Sequence, residues 1–251
     1  MKPSIGNLQQ ILFKKFTYGN FTIVGVGPGD SSLLTKAAIK AIKTSDIIFY
    51  PTSGDYQKSY SAEIVKKYTR FKKKIPIIFP MARREFNAEA IWEESSKLIS
   101  EYIFKGKSVV LLCLGDPTIY GSSSYIAKII RNKYPEVFIR ILPGISSISA
   151  AAAIYNFDLL KKGEILKILE CPNDKNSFYD LIEKELNVKT VLVLMKIGKR
   201  WPFIKDLLKQ KGMLGKCFVA VNIGMKDQLV KEANKIESDN LPYFSLLLLR
   251  N

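Results

Sequence analysis

Histidine is absent from the 251-residue sequence, and cysteine occurs only as Cys113, Cys171 and Cys217. The lack of imidazole excludes histidine-based triads, the common zinc enzymes and histidine acid–base catalysis. The three cysteines lie far apart without metal-ligand spacing, so we predict no metal site. Their odd number fits a reducing compartment, in which each thiol is a small buried hydrophobe. Any chemistry that this protein performs must therefore do without imidazole.

Long apolar runs and acidic residues are also scarce. No segment approaches the ~18 consecutive apolar residues of a membrane span, and 23 Asp+Glu against 39 Lys+Arg give a formal net charge of +16. Within residues 1–20, Lys14 and Lys15 come after the apolar cluster, whereas a secretory signal has its basic residues before the apolar segment. We therefore interpret residues 1–20 as an extension and expect a cytoplasmic protein. The charge favours anionic partners, but lysines scattered along the chain equally fit a lysine-rich composition.

Apolar runs alternate with helical patterns along the whole chain. The predicted strands are residues 21–26, 46–50, 75–79, 109–114, 137–142, 165–169, 191–195, 218–222 and 244–249. Strand–helix alternation predicts an α/β fold, and continuous apolar strands predict sheets that are covered on both faces. Nine strands are many for one open sheet. We therefore predict two consecutive α/β lobes, residues 21–118 and 119–251, with the break near Pro117–Gly121.

The most informative motif is a glycine-rich loop after the first predicted strand, Val24-Gly25-Val26-Gly27-Pro28-Gly29-Asp30. Glycines permit backbone angles and a close ligand approach that side chains would prevent. The dinucleotide fingerprint needs another glycine where Asp30 stands, and no Gly-Lys-Ser/Thr follows to form a phosphate loop. The motif therefore predicts a ligand loop of another kind, or an ordinary tight turn.

Two further loops have the same layout. Gly115-Asp116-Pro117-Thr118-Ile119-Tyr120-Gly121 follows one apolar strand, and Pro143-Gly144-Ile145-Ser146-Ser147 follows the next. Ser146 and Ser147 are placed to donate hydrogen bonds at the start of a small-residue helix. Loops at the carboxyl ends of strands in an open α/β sheet meet in the crevice that binds ligands. We therefore expect the three loops to converge.

Taken together, these motifs resemble the tetrapyrrole methylase family, the S-adenosylmethionine-dependent enzymes of corrin and sirohaem synthesis. The matching segments are Gly25–Asp30 followed by Leu33-Leu34-Thr35, then Gly115–Pro117, Pro143–Ser147 and a later strand that ends in Met195. They occur in the family's order between residues 21 and about 228.

Within the family, the details resemble the carbon-20 branch, which methylates precorrin-2 or cobalt-factor II. They include Tyr50-Pro51-Thr52-Ser53, Phe79-Pro80-Met81 with Arg83, and Leu194-Met195-Lys196-Ile197-Gly198-Lys199. The sirohaem-forming and carbon-11 branches have Gly-Gly-Asp-Pro where this chain has Leu114-Gly115-Asp116-Pro117. The implied activity is methyl transfer from S-adenosylmethionine to carbon 20 in cobalamin biosynthesis, with a metal-free or a cobalt-containing substrate.

The resemblance also implies two α/β lobes with the cofactor in the cleft between them, usually in a homodimer. The implied cofactor contacts are Pro28, Leu114, Gly115, Asp116, Ile119, Ser146, Ser147, Met195 and Val221 or Asn222. A sulfonium cofactor carries its own activated methyl group, so the enzyme mainly aligns it with an electron-rich carbon. A missing histidine is compatible with that chemistry.

A base that removes the leaving proton would assist the reaction, and the candidates are Asp30, Tyr50, Tyr120 and Glu170, of which we select Asp30 and Tyr120. The substrate is a polycarboxylate, which basic side chains can bind. For that role we select Arg83 and Lys196, with Arg84 and Lys199 as further candidates.

Three alternatives remain open. Another tetrapyrrole methylase, such as a uroporphyrinogen III methylase, would share the motifs. A ribosomal RNA ribose methyltransferase of the same fold would suit the charge, but that branch has Thr-Pro-Ile-Gly-Asn in the first loop, so we expect no nucleic-acid partner. A non-catalytic protein that binds the cofactor or a tetrapyrrole is the third alternative.

Overall fold

A computed structural model describes residues 18–52, 59–79, 87–185 and 189–250. The chain divides into two compact units, Met1–Ile145 and Ser146–Asn251. Each unit contains one five-stranded sheet. The predicted α/β architecture with two sheets is confirmed. In the described part of the chain, no helix combines the length and the apolar character needed to cross a bilayer.

The first unit contains a wholly parallel sheet with the strand order β3-β2-β4-β1-β5. Its strands are β1 (Phe21–Gly25), β2 (Ile47–Thr52), β3 (Lys73–Ile78), β4 (Val109–Cys113) and β5 (Ile139–Leu142). Its helices are α1 (Lys36–Thr44), α2 (Tyr60–Ile64), α3 (Ala88–Phe104) and α4 (Ser123–Lys133), with short 3₁₀ helices at Ser31–Leu33 and Lys66–Tyr68.

Both faces of this sheet are buried, as the continuous apolar strands predicted. On one face Phe21, Phe49 and Leu111 pack in a cluster with Ile99 of α3 and Ile126 of α4. On the other face Val24, Ile48 and Leu112 pack in a second cluster with Ala38 and Ile42 of α1. Alternate side chains of one strand therefore enter different cores.

The second unit contains a mixed sheet with the order β6-β7-β10-β8-β9, in which β10 runs antiparallel to both of its neighbours. Its strands are β6 (Ile165–Glu170), β7 (Thr190–Met195), β8 (Cys217–Val221), β9 (Leu229–Glu232) and β10 (Ser245–Arg250). Its helices are α5 (Ser147–Ile154), α6 (Lys175–Glu185) and α7 (Trp201–Gln210), with 3₁₀ helices at Gly198–Arg200, Leu214–Lys216 and Ala233–Lys235. One core packs Leu194 and Leu247 against Phe178, Trp201 and Ile204.

All nine predicted strands are confirmed, but the expected break near residue 118 is corrected by the structure. The boundary falls between Ile145 and Ser146, because β5 pairs with β1 throughout its length and so belongs to the first sheet. Strand β9 was missed by the sequence analysis. The extension of residues 1–20 lies outside the described residues as far as residue 17.

Candidate functional site

The first and second loops of unit 1 are hydrogen-bonded to each other beyond the ends of β1 and β4. Gly27 and Gly115 form an isolated antiparallel bridge. The Gly115 N–H donates to the Gly27 carbonyl at 2.8 Å, and the Gly27 N–H donates to the Gly115 carbonyl at 3.3 Å. Val26 extends the contact, because its N–H donates to the Cys113 carbonyl at 2.9 Å. These two loops lie about 88 residues apart in the sequence. They meet because β1 and β4 are neighbouring parallel strands.

The third loop joins them through glycine. A methyl group built on Gly144 would lie 2.2 Å from the Gly115 carbonyl oxygen. A methyl group on Gly25 would lie 2.5 Å from the Gly144 nitrogen and 2.8 Å from the same Gly115 oxygen. Three backbones therefore touch where only glycine fits. The predicted convergence of the three loops is confirmed for these glycines of unit 1.

Gly115 differs from its two glycine neighbours in what surrounds its α-carbon. Its φ angle is +70°, and a methyl group there would meet none of the described residues within 4 Å. The outer side of this backbone is therefore open, whereas the Gly25 and Gly144 positions are filled. Leu114, Asp116 and Ile119 beside it are half-buried, and Pro28 of the first loop is buried. An open backbone surface at the ends of three adjacent strands fits the close approach of a small ligand.

Asp116 shapes the second loop through Thr118. The Thr118 N–H and the Thr118 hydroxyl donate to the same carboxylate oxygen, Oδ1, at 2.8 and 2.7 Å. The Ile119 N–H donates to the Asp116 carbonyl at 3.2 Å. Tyr120 follows with a φ angle of +51° and a side chain that is half exposed. Thr118 was not identified in the sequence analysis, because its role depends on this turn.

Asp30 closes the first loop and caps the 3₁₀ helix that follows. Its Oδ1 accepts a hydrogen bond from the Ser32 N–H at 2.7 Å. That hydrogen bond lowers the pKa of the Asp30 carboxyl group below its ordinary value. A carboxylate that is stabilised in its ionised form is a weaker proton acceptor. The geometry therefore gives Asp30 a structural role and weakens the case for Asp30 as a base.

Ser146 and Ser147 lie at the start of α5 in unit 2. Ser146 is the N-cap, and its Oγ accepts a hydrogen bond from the Ser149 N–H at 3.1 Å. Its hydroxyl therefore accepts from the helix backbone, where donation was expected, and it also lies 3.0 Å from the Ser149 hydroxyl, with either oxygen able to donate. Ser147 is half-buried in the first turn.

Met195 and Val221 end the two strands that flank β10, at the same edge of the second sheet. Met195 pairs with Leu246, and Val221 pairs with Ser245. The residue after each strand has a positive φ angle, +60° at Lys196 and +49° at Asn222. The Asn222 N–H donates to the Phe244 carbonyl at 2.8 Å. Residues other than glycine rarely adopt a positive φ angle, and residues that do so cluster at functional sites.

Lys196 belongs to an ionic cluster at the ends of β6 and β7. Its Nζ donates to Glu170 Oε2 at 3.0 Å, and Arg200 Nη2 lies 4.0 Å from Glu170 Oε1. Burial by itself would lower the pKa of Lys196, but the hydrogen bond to Glu170 and the charges of Tyr243 and Glu170 outweigh it, so the pKa is raised. Arg200 was not predicted as a site residue, since the sequence around it does not distinguish it from the other basic residues of the chain.

The remaining candidates are dispersed or undescribed. Tyr50 is half-buried in β2, and Lys199 is exposed in a 3₁₀ helix. Arg83 and Arg84 lie outside the described residues. The cysteines are buried, as expected, and burial raises the pKa of Cys113 to about 11 and that of Cys171 and Cys217 to about 12. These thiols stay protonated near neutral pH, which is typical of structural cysteines.

Comparison with known proteins identifies the class to which this fold and these loops belong. The family model of the Tetrapyrrole (Corrin/Porphyrin) Methylases matches residues 20–237. The chain belongs to this family, and the predicted enzyme class, a C-methyltransferase, is confirmed. Members of the family depend on S-adenosylmethionine.

Two curated relatives carry a more particular name. A probable cobalt-precorrin-2 C(20)-methyltransferase of Methanocaldococcus jannaschii is 35% identical over 167 residues, 66% of this chain and 70% of that protein. The cobalt-precorrin-2 C(20)-methyltransferase of Salmonella typhimurium is 28% identical over 234 residues, 92% of this chain and 96% of that protein. The chain spans only 45% of three mycobacterial relatives named cobalamin biosynthesis protein CobIJ.

A solved structure supports the fold. The X-ray structure of the cobalt precorrin-4 methyltransferase CbiF aligns with a TM-score of 0.69 at 18% identity, over 92% of this chain and 94% of that one.

Proposed function

We propose that this protein transfers the methyl group of S-adenosylmethionine to carbon 20 of precorrin-2 or cobalt-factor II in cobalamin biosynthesis. The observation that carries the proposal is the open backbone of Gly115, at the point where three loops of a tetrapyrrole methylase meet. The names of the two relatives described above support carbon 20 as the position.

The residues of unit 1 fit a cofactor site by their geometry. Gly25 and Gly144 allow the loops to pack in close backbone contact, and the outer side of the Gly115 backbone stays accessible. Asp116 is fixed by Thr118 through a single carboxylate oxygen. We propose that this turn holds the amino-acid end of the cofactor, with Pro28, Leu114 and Ile119 as neighbouring contacts.

In unit 2 we propose that Ser146, Ser147, Met195 and Val221 contribute further cofactor contacts, each from a strand end or a helix start. When bound, S-adenosylmethionine supplies an activated methyl group. The residues of the chain then act by positioning, because in-line transfer depends on alignment of the two reacting atoms. Of the two bases selected from the sequence, we assign Tyr120 and not Asp30 as the candidate for proton removal. A homodimer and a cytoplasmic location also belong to the proposal.

Methyl transfer from labelled S-adenosylmethionine tests the proposed function. Precorrin-2, cobalt-factor II, uroporphyrinogen III and ribosomal RNA are offered separately, and the product is analysed for the position of the label. We expect label at carbon 20 of precorrin-2 or of cobalt-factor II. Label on uroporphyrinogen III or on RNA alone contradicts the proposal, and incorporation into none of the four favours a binding protein.

Asp116→Ala provides a second test, because the turn loses its fixed oxygen. We expect S-adenosylhomocysteine to bind at least about tenfold more weakly, the size of one lost hydrogen bond to a charged group. Unchanged affinity by calorimetry contradicts the assignment of the second loop.

A further inference from the structure

The ionic cluster of unit 2 holds two cations and one carboxylate, and the carboxylate is the most exposed of the three. The side chain of Glu170 is 43% exposed, against 28% for Lys196 and 22% for Arg200. Glu170 ends β6, Lys196 directly follows β7, and Arg200 ends the next 3₁₀ helix. The cluster therefore presents a carboxylate to solvent in front of two partly buried cations.

Arg200 is held by contacts with residues other than Glu170, whereas Lys196 is fixed at its backbone and its ammonium group contacts Glu170. Arg200 Nη1 donates to the Lys196 carbonyl at 2.7 Å, and Arg200 Nη2 donates to Asn173 Oδ1. Lys196 is fixed at its backbone, since the preceding residue pairs in β7 and its own φ angle is +60°. Movement of the Glu170 side chain would leave the guanidinium group held by these contacts.

The contacts of Glu170 with these two cations are long or partly exposed. Its contact with Arg200, at 4.0 Å, is longer than a hydrogen bond, and its hydrogen bond to Lys196 is made by a partly exposed pair. Exposed ion pairs are weak, because water competes for both partners. Another carboxylate can therefore replace that of Glu170 at small cost, since it makes the same contacts with the same charge.

We propose that Lys196 and Arg200 form a receptor for one carboxylate of a polycarboxylate substrate, and that Glu170 occupies this receptor until the substrate carboxylate displaces it. The inference rests on the proposed function in that a tetrapyrrole substrate supplies the carboxylate. It adds Arg200 as a binding residue and assigns Glu170 as an internal competitor. The cluster has one more positive than negative charge, which favours an incoming anion.

A purely structural ion pair is the competing explanation. Strands β6 and β7, however, are already paired from Ile165 with Thr190 to Glu170 with Met195. This backbone pairing joins the two strands without needing a side-chain contact at their ends. The two explanations differ in the sign of one effect, because removal of a competitor strengthens ligand binding and removal of a structural contact does not.

The test measures binding of uroporphyrin III, a stable octacarboxylic porphyrin, by quenching of its fluorescence. Glu170→Gln should bind about threefold more tightly than the wild type, the fold-change of one exposed ion pair. Lys196→Gln and Arg200→Gln should each bind about tenfold more weakly, because each removes a charged hydrogen-bond donor. Thermal unfolding of each variant verifies folding, and Glu170→Ser repeats the test with a shorter side chain.

Asp239→Asn is the matched control. Asp239 pairs with Lys205 at 2.9 Å in the same unit, so this variant removes the same charge from another lysine ion pair. It should leave uroporphyrin affinity unchanged. Three results would each overturn the receptor. They are an equal gain in uroporphyrin affinity in Asp239→Asn, no gain in affinity in Glu170→Gln and Glu170→Ser, and no binding of uroporphyrin by the wild type.

Failure of the proposed function has a different signature. In that case no tetrapyrrole is methylated, while the opposite effects of Glu170→Gln and Arg200→Gln on uroporphyrin binding persist. Failure of the receptor leaves methyl transfer and S-adenosylhomocysteine binding intact in the wild type, but removes the opposite signs.

Discussion

The two units shape their strand ends by different means. In unit 1, Gly25, Gly115 and Gly144 bring three loops into backbone contact that excludes side chains. In unit 2, the residues after β7 and β8 are Lys196 and Asn222, both with a positive φ angle despite their side chains. The first arrangement requires residues that have no Cβ atom. The second places residues with polar side chains in a strained backbone conformation.

This difference explains which half of the candidate site is visible in a sequence. A glycine that is required for close packing or for a positive φ angle is marked by its residue type, and three such glycines occur in order. A lysine or an asparagine in a strained conformation has no such mark, because the same residues occur in ordinary loops. Substitutions that add or remove a Cβ atom should therefore affect the two units differently.

Gly144→Ala should have the largest effect. The new methyl group would lie 2.2 Å from the Gly115 carbonyl oxygen, so a backbone must move. We expect the free energy of unfolding to fall by about 3 kcal/mol, the upper part of the range for overpacked sites, and S-adenosylhomocysteine binding to be lost. Chemical denaturation and calorimetry measure the two effects.

Gly215→Ala is the matched control for Gly144→Ala. A methyl group there would lie 3.9 Å from Asn234 Nδ2, an ordinary contact. The stability should be unchanged or rise by up to about 1 kcal/mol, because alanine has less freedom in the unfolded chain. Equal losses in both variants would show that the packing of the three loops has no special cost.

At Asn222 in unit 2, an alanine should cost less than at Gly144, and the cost should come from the backbone angle instead of from a steric clash. Asn222→Ala should lower the free energy of unfolding by about 1 kcal/mol, because alanine tolerates a φ angle of +49° less well than asparagine does. Asn222→Gly should be close to the wild type, because glycine adopts this angle without a steric cost. Denaturant titration of the pair measures the difference. A more stable alanine variant would contradict the strain.

Asp30 should give the smallest effect, visible only in acid. Its pKa is lowered below the ordinary value of 3.8 by hydrogen bonds from Ser32. A lowered pKa stabilises the folded state above the unfolded-state pKa, and this contribution is lost as the pH falls through the folded-state pKa. The stability difference between the wild type and Asp30→Asn should therefore shrink from pH 6 to pH 2 (about the range in which carboxylates titrate). A difference that is independent of pH contradicts this role.

Much of the fold could be predicted from local patterns. The nine predicted strands are apolar enough to stand out, but the half-exposed strand β9 is Leu229-Val230-Lys231-Glu232, which gives no such signal. The break between the units was misplaced for a different reason. Pro117–Gly121 has the composition of a linker, and only the pairing of β5 with β1 shows that the chain returns to the first sheet.

The candidate site was predictable to the extent that glycine and family motifs define it. The convergence of the three loops was predicted, and so was the position of Met195 at a strand end. The position of Ser146 at a helix start was predicted as well, but the direction of its hydrogen bond was not. The contact of Thr118 with Asp116 and the contact between Arg200 and Glu170 were not predicted. Each depends on a side-chain rotamer or on residues brought together by the sheet, which composition does not encode.

Gly115→Ala against Gly212→Ala tests the central claim most directly. Gly115 and Gly212 have φ angles of +70° and +65°, and at both a methyl group would have no neighbour within 4 Å in the described part of the chain. The cost in stability should thus be similar, about 1 kcal/mol for an alanine in the left-handed region. Calorimetry with S-adenosylhomocysteine should show binding at least about tenfold weaker in Gly115→Ala and unchanged in Gly212→Ala. Equal affinity in the two variants would contradict a cofactor site at Gly115.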